Sequence, residues 1–120
     1  MPVRSLHSPV LKWPDAGAVD RAVRTWAAGI GAARTDVLRI GYFGSYARGN
    51  WGVGSDLDVV IVVERCDQPF EHRGSGWNTA QLPVPADVLV FTSDEWDSPR
   101  RSSRFRTTVE HEAVWVYVKP

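Results

Sequence analysis

Asp56 and Asp58 lie one residue apart in Gly-Ser-Asp-Leu-Asp-Val-Val-Ile-Val-Val, residues 54–63. Alternate residues of a β-strand face the same side, so the two carboxylates project together, roughly 6.5–7 Å apart along the chain. Leu57 and Val59 point the other way. Two like charges at the head of so apolar a strand repel each other and are costly to desolvate without a counter-charge. A divalent cation is the natural one, and carboxylates gripping divalent cations are the working parts of phosphoryl and nucleotidyl transfer, where the dominant need is to neutralise phosphate charge and align the attacking oxygen.

Gly44 and Ser45 stand upstream, directly after the apolar run Val37 to Phe43. A strand that ends in Gly-Ser and turns into a helix aims free backbone N–H groups and a hydroxyl at whatever lies above the turn, and phosphate oxygens suit them. Gly44 leaves room for the anion, Ser45 offers its hydroxyl, and Arg48, one turn on, suits either the same anion or an acidic neighbour. Two metals about 3.5–4 Å apart need a third carboxylate, from a neighbouring strand. Asp87, in Pro-Ala-Asp-Val-Leu-Val, has the apolar flanks that would aim it there, to hold a metal and to orient or deprotonate an acceptor hydroxyl. Asp94, Glu95 and Asp97 are alternatives, although acids at a turn or helix start have ordinary reasons to be there.

The elements that must position these groups follow from periodicity. Val19, Ala22, Val23, Trp26, Ala27 and Ile30 recur at helical spacing after Asp15, a ready cap, with Gly29 and Gly31 marking the helix end. Thr35 to Phe43 reads as a buried strand, Ser45 to Asn50 as a short helix, and Leu57 to Val63 as a second strand. Residues 64–85 carry prolines, glycines and charges without a period, and Arg73-Gly-Ser-Gly-Trp-Asn reads as loop. Ala86 to Phe91 resumes a strand and Asp94-Glu95-Trp96 a turn. Ser98-Pro99 opens a helix to about Glu112 with Phe105 and Val109 inward, and Val114 to Val118 closes as a strand. The order predicts one α/β (α+β) domain spanning residues 1–120, with a mixed sheet of about four strands, helices on one face, and an irregular arm over residues 1–14.

Bulk properties narrow the functions. At 120 residues the chain holds one core but no separate substrate domain, so the acceptor must come from elsewhere, and a nucleotide-sugar glycosyltransferase using Asp-x-Asp would want a larger domain. Fourteen basic and fourteen acidic residues cancel, which gives no global field for nucleic acid or membrane. The apolar runs fall far short of the roughly 20 residues of a membrane span, and Met-Pro-Val-Arg-Ser lacks a secretory block. Cys66 is the only cysteine, so no internal disulfide forms, in keeping with a cytoplasmic location. His7, His72 and His111 share no ligand spacing, and Arg100, Arg101, Arg104 and Arg106 read as a solvated helix face or a basic face for a nucleotide or acidic partner. Trp26 and Trp115 are expected in the core, while Trp51 and Trp77, in glycine-rich loops, are free to pack back, stack on a base or meet a partner. An exposed strand edge or tryptophan patch could support a homodimer.

Taken together, Gly41-Tyr-Phe-Gly-Ser-Tyr-Ala-Arg-Gly49, the Asp56-Leu-Asp58 strand and Val84-Pro-Ala-Asp-Val-Leu-Val-Phe-Thr92 resemble the DNA polymerase beta nucleotidyltransferase superfamily. The Gly-Ser-x-Ala-Arg-Gly form, Thr92-x-x-Glu95-Trp96 and the strand after Glu112 are similar to its minimal nucleotidyltransferases (MNT), over about residues 35–118. The resemblance implies catalysis and metal binding by Asp56, Asp58 and Asp87, nucleotide contacts from Gly44, Ser45 and Arg48, and transfer of a nucleoside monophosphate, AMP from ATP, with Mg2+. It also implies an antitoxin whose partner is a HEPN-type ribonuclease, neutralised by adenylylation or by binding. A catalytically idle module that blocks its partner sterically is the alternative. In the family a helix commonly lies between the second carboxylate and the third, where this chain reads as loop.

Overall fold

The computed structural model describes residues 13–98 and 103–120. Its elements in chain order are α1 (Ala16–Ala33), β1 (Val37–Phe43), α2 (Ser45–Arg48), β2 (Leu57–Val63), α3 (Phe70–Arg73) with a 3-10 turn at Gly74–Gly76, β3 (Ala86–Thr92), α4 (Ser93–Asp97), α5 (Ser103–Glu112) and β4 (Val114–Val118). The strands form one mixed sheet in the order β3-β2-β1-β4. β1 runs antiparallel to β2 and β4, and β2 runs parallel to β3. The α+β class and four-stranded mixed sheet are those expected from the sequence. The expected arm over residues 1–14 lies, up to residue 12, outside the described residues.

The alternation within β2 divides the molecule. Leu57, Val59, Ile61 and Val63 pack with Val19, Val23, Trp26 and Ala27 of α1 on one face. Val60 and Val62 turn to the other and meet Phe91, Trp96 of α4 and Val109 of α5. Helices therefore cover both faces, not one as the sequence suggested. The cause is that β2 is apolar on both sides beyond Asp58, so neither face can be left to water.

α1 begins where predicted, with Asp15 accepting from the Ala18 N–H at 2.8 Å. It does not end at Gly29 and Gly31 but runs to Ala33. A side chain at Gly31 would overlap the Tyr117 ring, so that glycine lets β4 approach the helix rather than stopping it. Residues 99–102, where the sequence placed the start of the last helix, lie outside the described residues. The stretch between β2 and β3 holds a short helix and a 3-10 turn where a loop was expected. Periodicity could not find them, because four residues and three residues make no repeat. What holds this segment is a non-local pair. Arg73, buried at 7% exposure, donates to Glu95 Oε1 at 2.6 Å and Oε2 at 3.1 Å, and also to the Val90 and Gln68 carbonyls. Glu95 in turn accepts from the Thr92 N–H in a capping box that starts α4. One ion pair thus clamps α3 against the outer edge of β3.

Candidate active site

The parallel pairing of β2 and β3 sets Asp58 directly beside Asp87. Both side chains alternate onto the face that carries α4 and α5, at the end of the sheet where the two parallel strands begin. On the other flank of β2, Asp58 is paired with Phe43, the last residue of β1, so the Gly44-Ser45 turn abuts the same carboxylate. Gly44 is buried and has φ 78° and ψ −152°, a conformation open in practice only to glycine. A Cβ there would run into Asp58 Oδ2. The glycine inferred from the motif as leaving room for an anion thus also leaves room for the carboxylate itself.

Asp56 precedes the first residue of β2 and is exposed; Asp87 is exposed and Asp58 half-buried. Burial pushes the Asp58 carboxyl above its usual range, and the negative charges of Asp87 and Asp56 push it further. Asp56 and Asp87 therefore both lie within electrostatic reach of Asp58. Among the described residues no three His, Cys, Asp or Glu side chains stand close enough to form a ready-made metal cage. Like charges hold apart unless a cation draws them in. The donor set nevertheless fits a hard divalent ion, since it offers only carboxylate oxygens, with a hydroxyl and backbone N–H groups opposite for an anion.

Ser45 opens α2, where the Ala47 and Arg48 N–H groups donate to the Gly44 carbonyl at 3.0 and 2.9 Å, so the Ser45 and Tyr46 amides are the ones left to face an anion. Arg48 donates to Glu112 Oε1 at 2.9 Å, so of its two sequence-derived roles the structure displays the tie to an acidic neighbour. It still lies near enough to Asp58 to favour the ionised carboxylate, while Glu112 opposes it. Glu112, the last residue of α5, is a neighbour of the site that the sequence placed only where the last helix ends and the last strand begins. No local signal could have found it, because it arrives from 54 positions beyond Asp58 by the docking of α5. Trp51 stacks on Tyr46 with centroids 5.5 Å apart and planes 6° from parallel, and so packs back on the domain. Trp77 lies under the Arg34 guanidinium at 4.4 Å and lines a groove of about 510 Å³ that reaches Asp87.

A mixed sheet that sets an aspartate pair against a Gly-Ser turn defines a class of proteins that handle nucleoside triphosphates. The family model of the nucleotidyltransferase domain matches residues 30–113, and the chain belongs to that family. It is a nucleotidyltransferase. Among solved structures it is similar to a candidate nucleotidyltransferase from Sulfolobus solfataricus, with TM-score 0.61 and 16% identity over 87% of this chain and 84% of that one. It is also similar to a chain of a toxin-antitoxin structure solved with AMP-PNP, with TM-score 0.54 and 14% identity over 82% of this chain and 73% of that one. No curated protein matches the chain. Among the described residues no helix is long and apolar enough to cross a membrane.

Proposed function

We propose that the protein transfers a nucleoside monophosphate, AMP from ATP, to a hydroxyl of a partner protein, as the antitoxin of a HEPN/MNT pair in the cytoplasm. The observation that carries this reading is the register that sets Asp87 against Asp58, with the Gly44-Ser45 turn against Asp58 from the opposite flank. Acids on one side and an anion-binding turn on the other are what a triphosphate with its cation requires. The shared fold of the AMP-PNP toxin-antitoxin chain supports the nucleotide and the kind of partner.

In this reading Gly44, Ser45 and Arg48 hold the triphosphate, and Asp56, Asp58 and Asp87 would hold magnesium. Magnesium, when bound, supplies neutralisation of the triphosphate and a more acidic acceptor hydroxyl. Asp87 orients that hydroxyl and takes its proton as the oxygen bonds to the α-phosphorus; the bond from that phosphorus to its bridging oxygen breaks and pyrophosphate leaves.

The test is incubation of the protein with α-labelled ATP, magnesium and the protein encoded by the neighbouring gene. Label on that protein, lost with Asp58→Asn or Asp87→Asn, is the expected result. A tight complex without label would overturn the transfer reading in favour of steric neutralisation.

A further inference from the structure

Resting on the reading above, we infer that the acceptor reaches Asp87 through the groove between α3 and the β3 edge, and that it is a peptide segment carrying net positive charge. Across the sheet the order is the Gly44-Ser45 turn, Asp58, Asp87 and then the groove, because Phe43 pairs with Asp58, Asp58 pairs with Asp87, and β3 is the edge strand. With the triphosphate on the turn, the groove lies on the side of Asp87 away from it, where an incoming hydroxyl stands in line with the leaving pyrophosphate. Its volume, about 510 Å³, is that of a site for a side chain with its flanking backbone or for a small ligand.

The lining decides the chemistry of the occupant. Phe70 and Trp77 offer apolar surface, Ser75 and Thr79 offer hydroxyls, and Glu71 and Asp87 supply negative charge. Among the described residues, no lysine or arginine lines the groove. Arg73, next in the chain to Gly74 of the lining, is engaged in its pair with Glu95. With Asp87 given over to magnesium, a polyanion such as a nucleic-acid end would still meet Glu71 with no cation among the described lining residues to offset it, whereas a basic peptide gains from that carboxylate. Strand addition to β3 is not the mode of binding. Gly74 lies so close to the Val88 carbonyl that a Cβ would overlap it, and Arg73 occupies the Val90 carbonyl, so the edge is sealed beyond Asp87.

The test offers α-labelled ATP and magnesium with three acceptors: hydroxyl-bearing peptides flanked by lysine and arginine, the same peptides flanked by aspartate and glutamate, and an RNA oligonucleotide with a free 3′-hydroxyl. The expected result is label on the basic peptides, roughly tenfold or more above the acidic ones, and none on RNA. Glu71→Lys should remove or invert that preference at an unchanged melting temperature. Label on RNA, equal label on both peptide sets, or label on nothing would overturn the inference. Fluorescence-polarisation binding of the basic peptide without ATP or metal is a separate arm. Binding should be lost in Glu71→Lys and in Ser75→Cys, Cys66→Ser protein carrying a bulky maleimide, and no binding by the unmodified protein would overturn the groove. A chain that binds the peptide but no ATP would instead overturn the nucleotide reading alone.

Discussion

Gly44→Ala is the substitution that most directly tests how the site is built. Two independent penalties meet at this residue. The backbone at φ 78° and ψ −152° is strained for any L-side chain, which costs about 1–3 kcal/mol. The added methyl also runs into Asp58 Oδ2 on a strand held by pairing on both sides, an overpacking penalty of about 1–3 kcal/mol. The combined loss is roughly 2–6 kcal/mol, and at about 4 °C per kcal/mol for a chain of this length the midpoint should fall by roughly 8–24 °C. Gly49→Ala is the internal control. Gly49 has φ 86° and ψ 8° but nothing within 4 Å of a new Cβ, so it should lose only the left-handed backbone penalty of about 1–2 kcal/mol. The assay is thermal or urea unfolding of both variants, together with Gly44→Ala in an Asp58→Ala background. Removing the Asp58 carboxylate should recover the overlap portion and leave the backbone portion, a coupling of about 1–3 kcal/mol. In the Asp58 background with the wild-type carboxylate, transfer activity should fall roughly a hundredfold, since the displaced carboxylate is misplaced by the order of an ångström. If Gly44→Ala melts no lower than Gly49→Ala and shows no coupling to Asp58, then Gly44 does not seat the carboxylate as described.

Other consequences are smaller in scope. The Asp58 carboxyl is raised by burial and by its acidic neighbours, so the metal-free fold favours its neutral form; its contribution is fully present below 3.8 and is lost as pH rises from there through the raised folded value. Asp58→Asn should therefore steady the metal-free protein at neutral pH and abolish the gain of about 2.7 kcal/mol expected from ATP with magnesium at a hundredfold excess over Kd; an undiminished ligand shift in thermal melts would contradict the assignment. Arg73→Ala removes the buried guanidinium that pairs with Glu95 and frees α3 from β3, for a loss of about 3 kcal/mol by urea unfolding. A loss under about 1 kcal/mol would show that the clamp is only surface decoration. Tyr42 is pushed up to about 12, first by burial and then by its 2.8 Å hydrogen bond to Asp20. The folded state prefers the neutral phenol, so stability should decline as pH rises from 10 to about 12, and Tyr42→Phe, at a cost of about 1 kcal/mol for the lost bond, should flatten that alkaline decline. An unaltered alkaline limb would place the loss elsewhere.

The sequence by itself determined the local pieces of this protein. The near-continuous apolar run from Leu57 to Val63 specifies β2 as a strand buried on both faces and, by strand alternation, puts Asp56 and Asp58 on one side of the chain. The Phe43-Gly44-Ser45 break specifies the turn, and Asp15 the start of α1. Those features depend on residues a few positions apart, whose steric and hydrogen-bonding preferences act whatever the rest of the chain does. Tertiary structure decided the rest. Only the parallel register of β2 and β3 puts Asp87 beside Asp58, and only the docking of α5 brings Glu112 to Arg48. The same docking, with α4, covers a face of the sheet that was expected to be open, and Arg73 finds Glu95 to turn an aperiodic stretch into the wall of a groove. Each of these pairings joins residues far apart in sequence and competes with many alternatives, so its outcome follows from which apolar faces and buried charges satisfy one another in the assembled fold rather than from any local pattern.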